Sequence, residues 1–181
     1  MSTHVNDKNQ PTMINVGAKQ VTRRVARVQA IVKLPRQVLT IFKGGELRSR
    51  KGPVFQTAIL AGIMAAKKTS GLIPLCHPIA IEDCTIDIRL NKKKEAVIEC
   101  RVEAHHKTGV EMEAFCGATV AALTLYDMCK GLSHDIVIKD IRLLEKTGGK
   151  SDFPSPRPSP GGRGSKSLPL SPRERVGVRA R

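Results

Sequence analysis

Acidic residues stand at both ends of one apolar stretch, and a lysine lies beside the last of them. Glu111 and Glu113 lead into residues 114–130, and Asp127 and Lys130 lie near the end of that stretch. Residues three apart share one face of a helix, so Asp127 and Lys130 would place an acid next to a base on an almost apolar wall. The plainer interpretation is a helix salt bridge worth roughly 0.3 kcal/mol, with the two glutamates complementing the helix dipole.

A second group of charged residues precedes the next predicted helix upstream. Arg48, Arg50 and Lys51 fall within four residues and are followed by Gly52 and Pro53. Proline suits a first helical position, so Lys51 is expected at the N-terminal end of a helix, where backbone amides also favour an anion. A cluster of solvent-facing charges is the alternative to a phosphate site.

A rigid loop is predicted where Pro74 and Pro78 enclose Leu75, Cys76 and His77, because prolines cannot donate backbone hydrogen bonds. Adjacent residues in an extended loop point to opposite sides, which excludes a Cys–His nucleophile pair. The two side chains would act as separate contacts to a ligand, or else as a buried thiol and a structural histidine.

Composition narrows the class of protein. The formal charge is +15, of which +10 lies in residues 1–150, but aromatic residues make up only 3%. Single-strand binders stack bases on aromatic side chains, so a phosphorylated small molecule competes well with nucleic acid as the anionic partner. An RNA-binding module and a non-catalytic assembly protein are the rival classes. Five cysteines without a CxxC pair, and no apolar run of membrane length, favour a cytoplasmic protein without a membrane partner.

Hydrophobic periodicity predicts an α+β fold. Alternation predicts strands at 21–34, 84–90, 96–104 and 135–144, whereas helical spacing predicts helices at 54–68 and 114–130 and a short one at 35–42. This order is that of a ferredoxin-like (split βαβ) fold, an antiparallel four-stranded sheet with helices on one face. Because the other sheet face would be apolar and uncovered, we expect an oligomer.

Three regions follow from composition. Residues 1–12 are predicted to be a flexible N-terminal lead-in, and residues 13–151 are predicted to form the folded domain. Residues 152–181 hold six of the eleven prolines together with Gly, Ser and Arg. Such a composition cannot bury enough apolar surface to offset the entropy of ordering, so this tail is predicted to be disordered.

Several strings in the sequence closely resemble the MoaC family of molybdenum cofactor biosynthesis. They are LIPLCHP at 72–78, KTGVEMEA at 107–114, YDMCK at 126–130 and KTGGK at 146–150, together with Lys51-Gly52 and its surroundings. The resemblance implies a phosphorus–oxygen lyase, a cyclic pyranopterin monophosphate synthase on the route to molybdopterin. Its substrate would be 3′,8-cyclo-7,8-dihydroguanosine 5′-triphosphate, and it would release pyrophosphate.

The resemblance also assigns roles to residues. Asp127, Lys51 and Lys130 are implied as catalytic residues. The implied substrate-binding residues are Leu75, Cys76, His77, Glu111, Met112, Glu113 and Lys146. Pro53 stands where the family more often has Asp or Asn, which replaces a possible helix cap by a rigid first turn.

The implied chemistry requires ring opening, ring closure and proton transfers. Our hypothesis is that Lys51 and Lys130 shuttle protons, since a lysine near other cations loses its proton more easily. Asp127 would orient Lys130, while His77 and Glu113 hold the guanine-derived end. We expect no cofactor and no metal held by the protein, although Mg²⁺ could accompany the substrate triphosphate.

One helix containing both Glu113 and Asp127 would separate their backbones by about 21 Å. These two residues therefore either hold opposite ends of an extended nucleotide or meet across two subunits. The resemblance implies a homohexamer of three dimers, with active sites at subunit interfaces.

Overall fold

The computed structural model describes Val5 and residues 8–153. Four long strands and two long helices make up most of this part of the chain. In chain order the elements are β1 (Thr22–Lys33), α1 (Arg36–Leu39), β2 (Phe42–Lys43), β3 (Glu46–Ser49), β4 (Gly52–Pro53), α2 (Val54–Ala66), α3 (Thr69–Leu72), β5 (Asp83–Leu90), β6 (Glu95–His106), α4 (Glu111–Cys129) and β7 (Val137–Thr147).

The four long strands form one antiparallel sheet in the order β5-β6-β1-β7. Isoleucine occurs in all four strands and valine in three of them, and β-branched side chains pack well on a pleated surface. The predicted strands are confirmed, and the chain is α+β. Both predicted long helices are confirmed too, with α4 beginning at Glu111, so that Glu111 and Glu113 lie within its first turn.

The core lies between one face of this sheet and the helices α2 and α4. Alternate residues of β1 that face the helices are fully buried, namely Ala26, Val28, Ala30 and Val32. The two helices approach most closely at Gly62 and Gly117, where a methyl group on Gly62 would lie 2.7 Å from the Gly117 carbonyl oxygen. Glycine at both positions lets the two helices and the sheet pack closely together, and this packing sets the position of α4.

The opposite face of the sheet carries paired charges. Arg101 forms ion pairs with Asp83 and Glu103, and Arg89 pairs with Glu99. The expectation of an apolar, uncovered sheet face was therefore wrong, because the outward positions of neighbouring strands hold opposite charges that neutralise one another. The large apolar side chains exposed on the two long helices are Leu60, Met64, Met112 and Leu123.

A small second sheet, β2-β3-β4, was not predicted. The helix predicted over 35–42 is shorter than expected, because α1 ends at Leu39 and Phe42 already belongs to β2. Gly44 and Gly45 both have positive φ, which a two-residue hairpin turn requires, so they connect β2 to β3 instead of ending a helix. This sheet delivers Lys51 to the site described below.

The two ends of the chain extend past the described part. The predicted tail, 152–181, lies outside the described residues except for its first two, and most of residues 1–7 in the predicted lead-in also lie outside them. None of the helices within the described residues is long and apolar enough to span a bilayer.

Candidate functional site

Three predicted catalytic residues meet at the C-terminal end of α4. The Lys51 Nζ donates to Asp127 Oδ2 at 2.7 Å and to the Asp127 carbonyl oxygen at 3.0 Å. The Lys130 Nζ lies 3.0 Å from Asp127 Oδ1. One carboxylate therefore binds two ammonium groups, one from its own helix and one that is 76 residues away in sequence.

The electrostatics of this triplet differ from the sequence-based expectation in one respect. Hydrogen bonds from Lys51 and Lys130 lower the pKa of Asp127. The hydrogen bond to Asp127 raises the pKa of Lys130, so this amine holds its proton more tightly, whereas we expected neighbouring cations to loosen it. The three side chains are each about half exposed, between 50% and 53%. Within one chain they are therefore in contact with solvent and not enclosed by an apolar wall.

The position of Lys51 also differs from the prediction of a phosphate site at the start of α2. Lys51 does precede α2, but its side chain reaches across to the last turn of α4. The first-turn amides of Phe55 and Gln56 already bind the carboxylate of Glu46. These amides are therefore not free to bind an anion, and Lys51 complements the carbonyl end of α4 instead.

A cavity of about 720 Å³ lies at the opposite, N-terminal end of α4. It contains six of the seven predicted substrate-binding residues, which are Leu75, Cys76, His77, Glu111, Met112 and Glu113. The predicted loop between Pro74 and Pro78 is confirmed as irregular backbone. Cys76 and His77 both line the same cavity, as separate contacts.

A buried carboxyl group and a partly buried thiol line this cavity. Glu113 is only 3% exposed, and burial raises its pKa. Burial and the charge of Glu113 raise the pKa of Cys76 as well, which keeps this thiol protonated.

The extended segment before β1 forms one wall of the cavity, which the sequence did not predict. His77 Nε2 lies 2.9 Å from the Ile14 carbonyl oxygen, and Lys107 Nζ donates to the Gly17 carbonyl at 2.6 Å. Residues of this segment that line the cavity are Ile14, Val16, Ala18, Lys19 and Gln20. Hydrophobic periodicity could not reveal this segment, because its position depends on contacts with residues more than sixty positions away in the sequence.

Arg24 is another cavity residue that the sequence did not identify. Arg24 lies in β1, lines the cavity and donates to the carbonyl oxygens of His106 and Lys107. Its even-numbered position places it on the helix-facing side of β1, near the start of α4. Alternation within the strand was the signal that could have shown this.

Lys146, in β7, lies beside the N-terminal end of α4 and near the cavity, whereas Lys51 and Lys130 lie at the C-terminal end of that helix. Its Nζ is 3.2 Å from Glu111 Oε1, and with Gly149 and Lys150 it lines a smaller recess of about 230 Å³. A Cβ on Gly109 would collide with the Glu111 carboxylate, so a side chain there would displace that carboxylate from its place beside Lys146.

Within one chain, therefore, the predicted site residues form two clusters at opposite ends of α4. Lys51, Asp127 and Lys130 make the first, which we call the lysine–aspartate triplet. The cavity with Lys146 beside it makes the second. The prediction that one helix separates Glu113 from Asp127 is confirmed, since both lie in α4.

Comparisons with known proteins identify the family. Residues 13–149 match the MoaC family. The chain is 49% identical over 84% of its length to a "Molybdenum cofactor biosynthesis bifunctional protein" of Synechocystis sp., of which it spans 45%. It is 47% identical over 83% of its length to a "Cyclic pyranopterin monophosphate synthase" of Xanthomonas oryzae pv. oryzae, of which it spans 92%. A "Molybdenum cofactor biosynthesis protein 1" of Drosophila melanogaster is 44% identical, and the chain spans 28% of that protein. Family match, site motifs and relatives agree, and the chain belongs to the MoaC family.

Proposed function

We propose that this chain is an enzyme of molybdenum cofactor biosynthesis with cyclic pyranopterin monophosphate synthase activity. It would convert 3′,8-cyclo-7,8-dihydroguanosine 5′-triphosphate into cyclic pyranopterin monophosphate and release pyrophosphate, as a phosphorus–oxygen lyase. The lysine–aspartate triplet is the observation that carries the proposal. Two lysines and a carboxylate from separate segments converge there, in a chain similar over most of its length to a relative named for this activity.

The charge of the cavity supports a triphosphate substrate. Its cationic side chains are Lys19, Arg24, Lys107 and Lys150, and its carboxylates are Glu111 and Glu113. These four cations outnumber the two carboxylates, so the balance of charge favours an anion. A volume of about 720 Å³ is also within the range of small-molecule sites.

The protonation states of the triplet suggest how it acts. Because the hydrogen bond to Asp127 raises the pKa of Lys130, this amine stays protonated, and it is better suited to neutralise negative charge on the substrate than to abstract a proton. Asp127 also fixes both ammonium groups in place. Closure of the cyclic phosphate breaks a phosphorus–oxygen bond, and nearby lysines would neutralise the charge that develops on the leaving pyrophosphate.

A complete active site would need two copies of the chain. Residues 113 and 127 are about 21 Å apart along α4, so one nucleotide is more readily held when the cavity of one copy faces the triplet of its neighbour. The exposed apolar side chains on α2 and α4 provide surface for such contacts. We propose ferredoxin-like subunits in a homohexamer of three dimers, acting in the cytoplasm without a bound cofactor and with Mg²⁺ accompanying the triphosphate.

The direct test is turnover of the cyclised guanosine triphosphate by the purified chain. Pyrophosphate and cyclic pyranopterin monophosphate should form in equal amounts, with and without Mg²⁺ in parallel. A Lys51→Ala variant should lose this turnover, whereas Lys92→Ala, in the exposed turn between β5 and β6, should retain it. Absence of both products with the parent chain would rule out the activity.

A further inference from the structure

The start of α2 has no capping side chain of its own. Its N-cap residue is Pro53, which has extended backbone angles but no side-chain acceptor. An N-cap side chain ordinarily accepts hydrogen bonds from the second and third helical residues, because these amides have no partner within the helix. In α2 these residues are Phe55 and Gln56.

Glu46 supplies the missing acceptor from β3. Its Oε1 accepts from the Phe55 amide at 2.8 Å, and its Oε2 accepts from the Gln56 amide at 3.2 Å. The same Oε1 also accepts from the Leu47 amide at 2.7 Å. The carboxylate thus occupies the place of an N-cap side chain, and its negative charge complements the positive end of the α2 dipole.

This cap fixes the base of the hairpin that carries Lys51. In the β3-β4 hairpin, Arg48 pairs with Pro53 and Ser49 pairs with Gly52, which leaves Lys51 at the tip. The Ser49 Oγ accepts from the Lys51 amide at 3.1 Å and donates to the Gly52 carbonyl at 3.3 Å, so the tip is ordered from within. Only Glu46 ties β3 directly to the first-turn amides of α2 among the hydrogen bonds of the described residues.

Glu46 also lies near the end of α4. Burial, with a smaller effect of the Glu46 charge, raises the pKa of Cys129 to about 11. Cys129 is the last residue of α4 and directly precedes Lys130. Glu46 therefore stands where three parts of the molecule meet, namely the Lys51 hairpin, the start of α2 and the end of α4 that bears the triplet.

We propose that Glu46 is a positioning residue for Lys51, which it holds against Asp127 by capping α2 from the neighbouring strand. Its effect on turnover rests on the proposed function, whereas its effect on the Lys51–Asp127 contact does not. A cap that only stabilised the fold would leave the geometry of Lys51 unchanged in the folded molecule. The two roles therefore differ in measurable ways.

The first experiment compares turnover by folded variants. Glu46→Ala should lower kcat roughly ten- to hundredfold at a temperature where the variant is fully folded, with little change in KM, because small misplacements of a reacting group are costly. Adding Pro53→Asp supplies an N-cap acceptor for α2 without linking it to β3, so it should restore stability but not kcat. Pro53→Ala in the same background should restore neither. Asp87→Ala, which removes an exposed carboxylate from the sheet, is the matched control.

The second experiment reads the Lys51 contact without turnover. Under trace acetylation followed by mass spectrometry, Lys51 should react several-fold faster in Glu46→Ala than in the parent chain, and adding Pro53→Asp should not slow it again. Lys130 is the internal control, because its partner Asp127 lies three residues away on the same helix. Unchanged Lys51 labelling in a folded Glu46→Ala variant would overturn the proposal, as would full kcat in an otherwise active enzyme. A parent chain without turnover would refute only the proposed function.

Discussion

At the scale of single residues, the most informative contacts for function are those of Asp127. It receives ammonium groups from Lys51 and Lys130 on separate oxygen atoms, and both hydrogen bonds lower its pKa. Side chains that are half exposed contribute little to stability through such pairs, because water and salt screen them. The arrangement is therefore better explained by the positioning of charge than by its effect on folding.

The variant Asp127→Asn separates these two explanations. An amide keeps the size of the side chain but loses its charge, so the pKa of Lys130 should fall towards the ordinary lysine value and kcat should drop by about 10²-fold or more. The melting temperature should change little, because the triplet is exposed. Kinetics and a thermal melt measure both, with Asp87→Asn on the charged sheet face as the control. A large loss of stability with normal kcat would contradict a role in turnover.

The buried acid Glu113 predicts a pH dependence of stability. Burial raises its pKa, so the native state binds this proton more tightly than the unfolded chain does. The unfolded state loses the proton first as pH rises, so the contribution of Glu113 to stability is fully present below the ordinary glutamate pKa, about 4.3, and is lost as pH rises through the higher native value. Glu113→Gln should remove this decline. Melting temperatures of both proteins across pH 4 to 8 test it, and parallel profiles would show that Glu113 does not titrate in this way.

At the scale of elements, the contact between α2 and α4 determines where the site residues lie. Gly62 lies close to Gly117 and to the side chain of Ile86 where the two helices cross. This contact helps to set the position of α4, which carries site residues at both of its ends. Helical periodicity predicted both helices. It could not predict the glycine contact, because the distance between two helices depends on residues far apart in sequence.

Gly62→Ala should therefore destabilise the protein. The added methyl group would lie 2.5 Å from Ile86 Cδ1 and 2.7 Å from a backbone carbonyl, which cannot move aside cheaply. Overpacking of this kind typically costs about 1–3 kcal/mol in the free energy of unfolding, which urea denaturation can measure. Gly71→Ala is the matched control, since a Cβ there meets nothing within 4 Å. Equal stability of the two variants would show that the crossing has room to relax.

At the scale of the whole molecule, the two clusters at opposite ends of α4 determine what one chain can do. The cavity and the triplet are each well formed, but α4 itself keeps them apart. The charged outer face of the sheet removes the original reason for expecting an oligomer. The separation of the clusters supplies a stronger one, because it concerns the site directly.

Mixing two inactive variants tests whether copies share sites. Asp127→Ala removes the triplet carboxylate, and Glu113→Ala removes the buried acid of the cavity. If each site combines the cavity of one chain with the triplet of another, unfolding and refolding the two variants together should give some sites with neither defect. Recovered turnover of up to about a quarter of the parent value is expected for random pairing of two chains. Each variant refolded alone is the control, and a mixture no more active than these would contradict shared sites.

Local patterns were enough to predict the α+β class, the four long strands and the two long helices, because alternation and helical spacing are properties of single segments. Sequence motifs also pointed to the family and to the candidate site residues that the structure groups in two clusters. Three contacts became visible only in the folded chain, namely that Lys51 meets Asp127, that Arg24 and Ile14 line the cavity, and that Glu46 caps α2. Each of these contacts joins segments whose distance depends on how the helices and sheets pack. No pattern within a single segment records that packing.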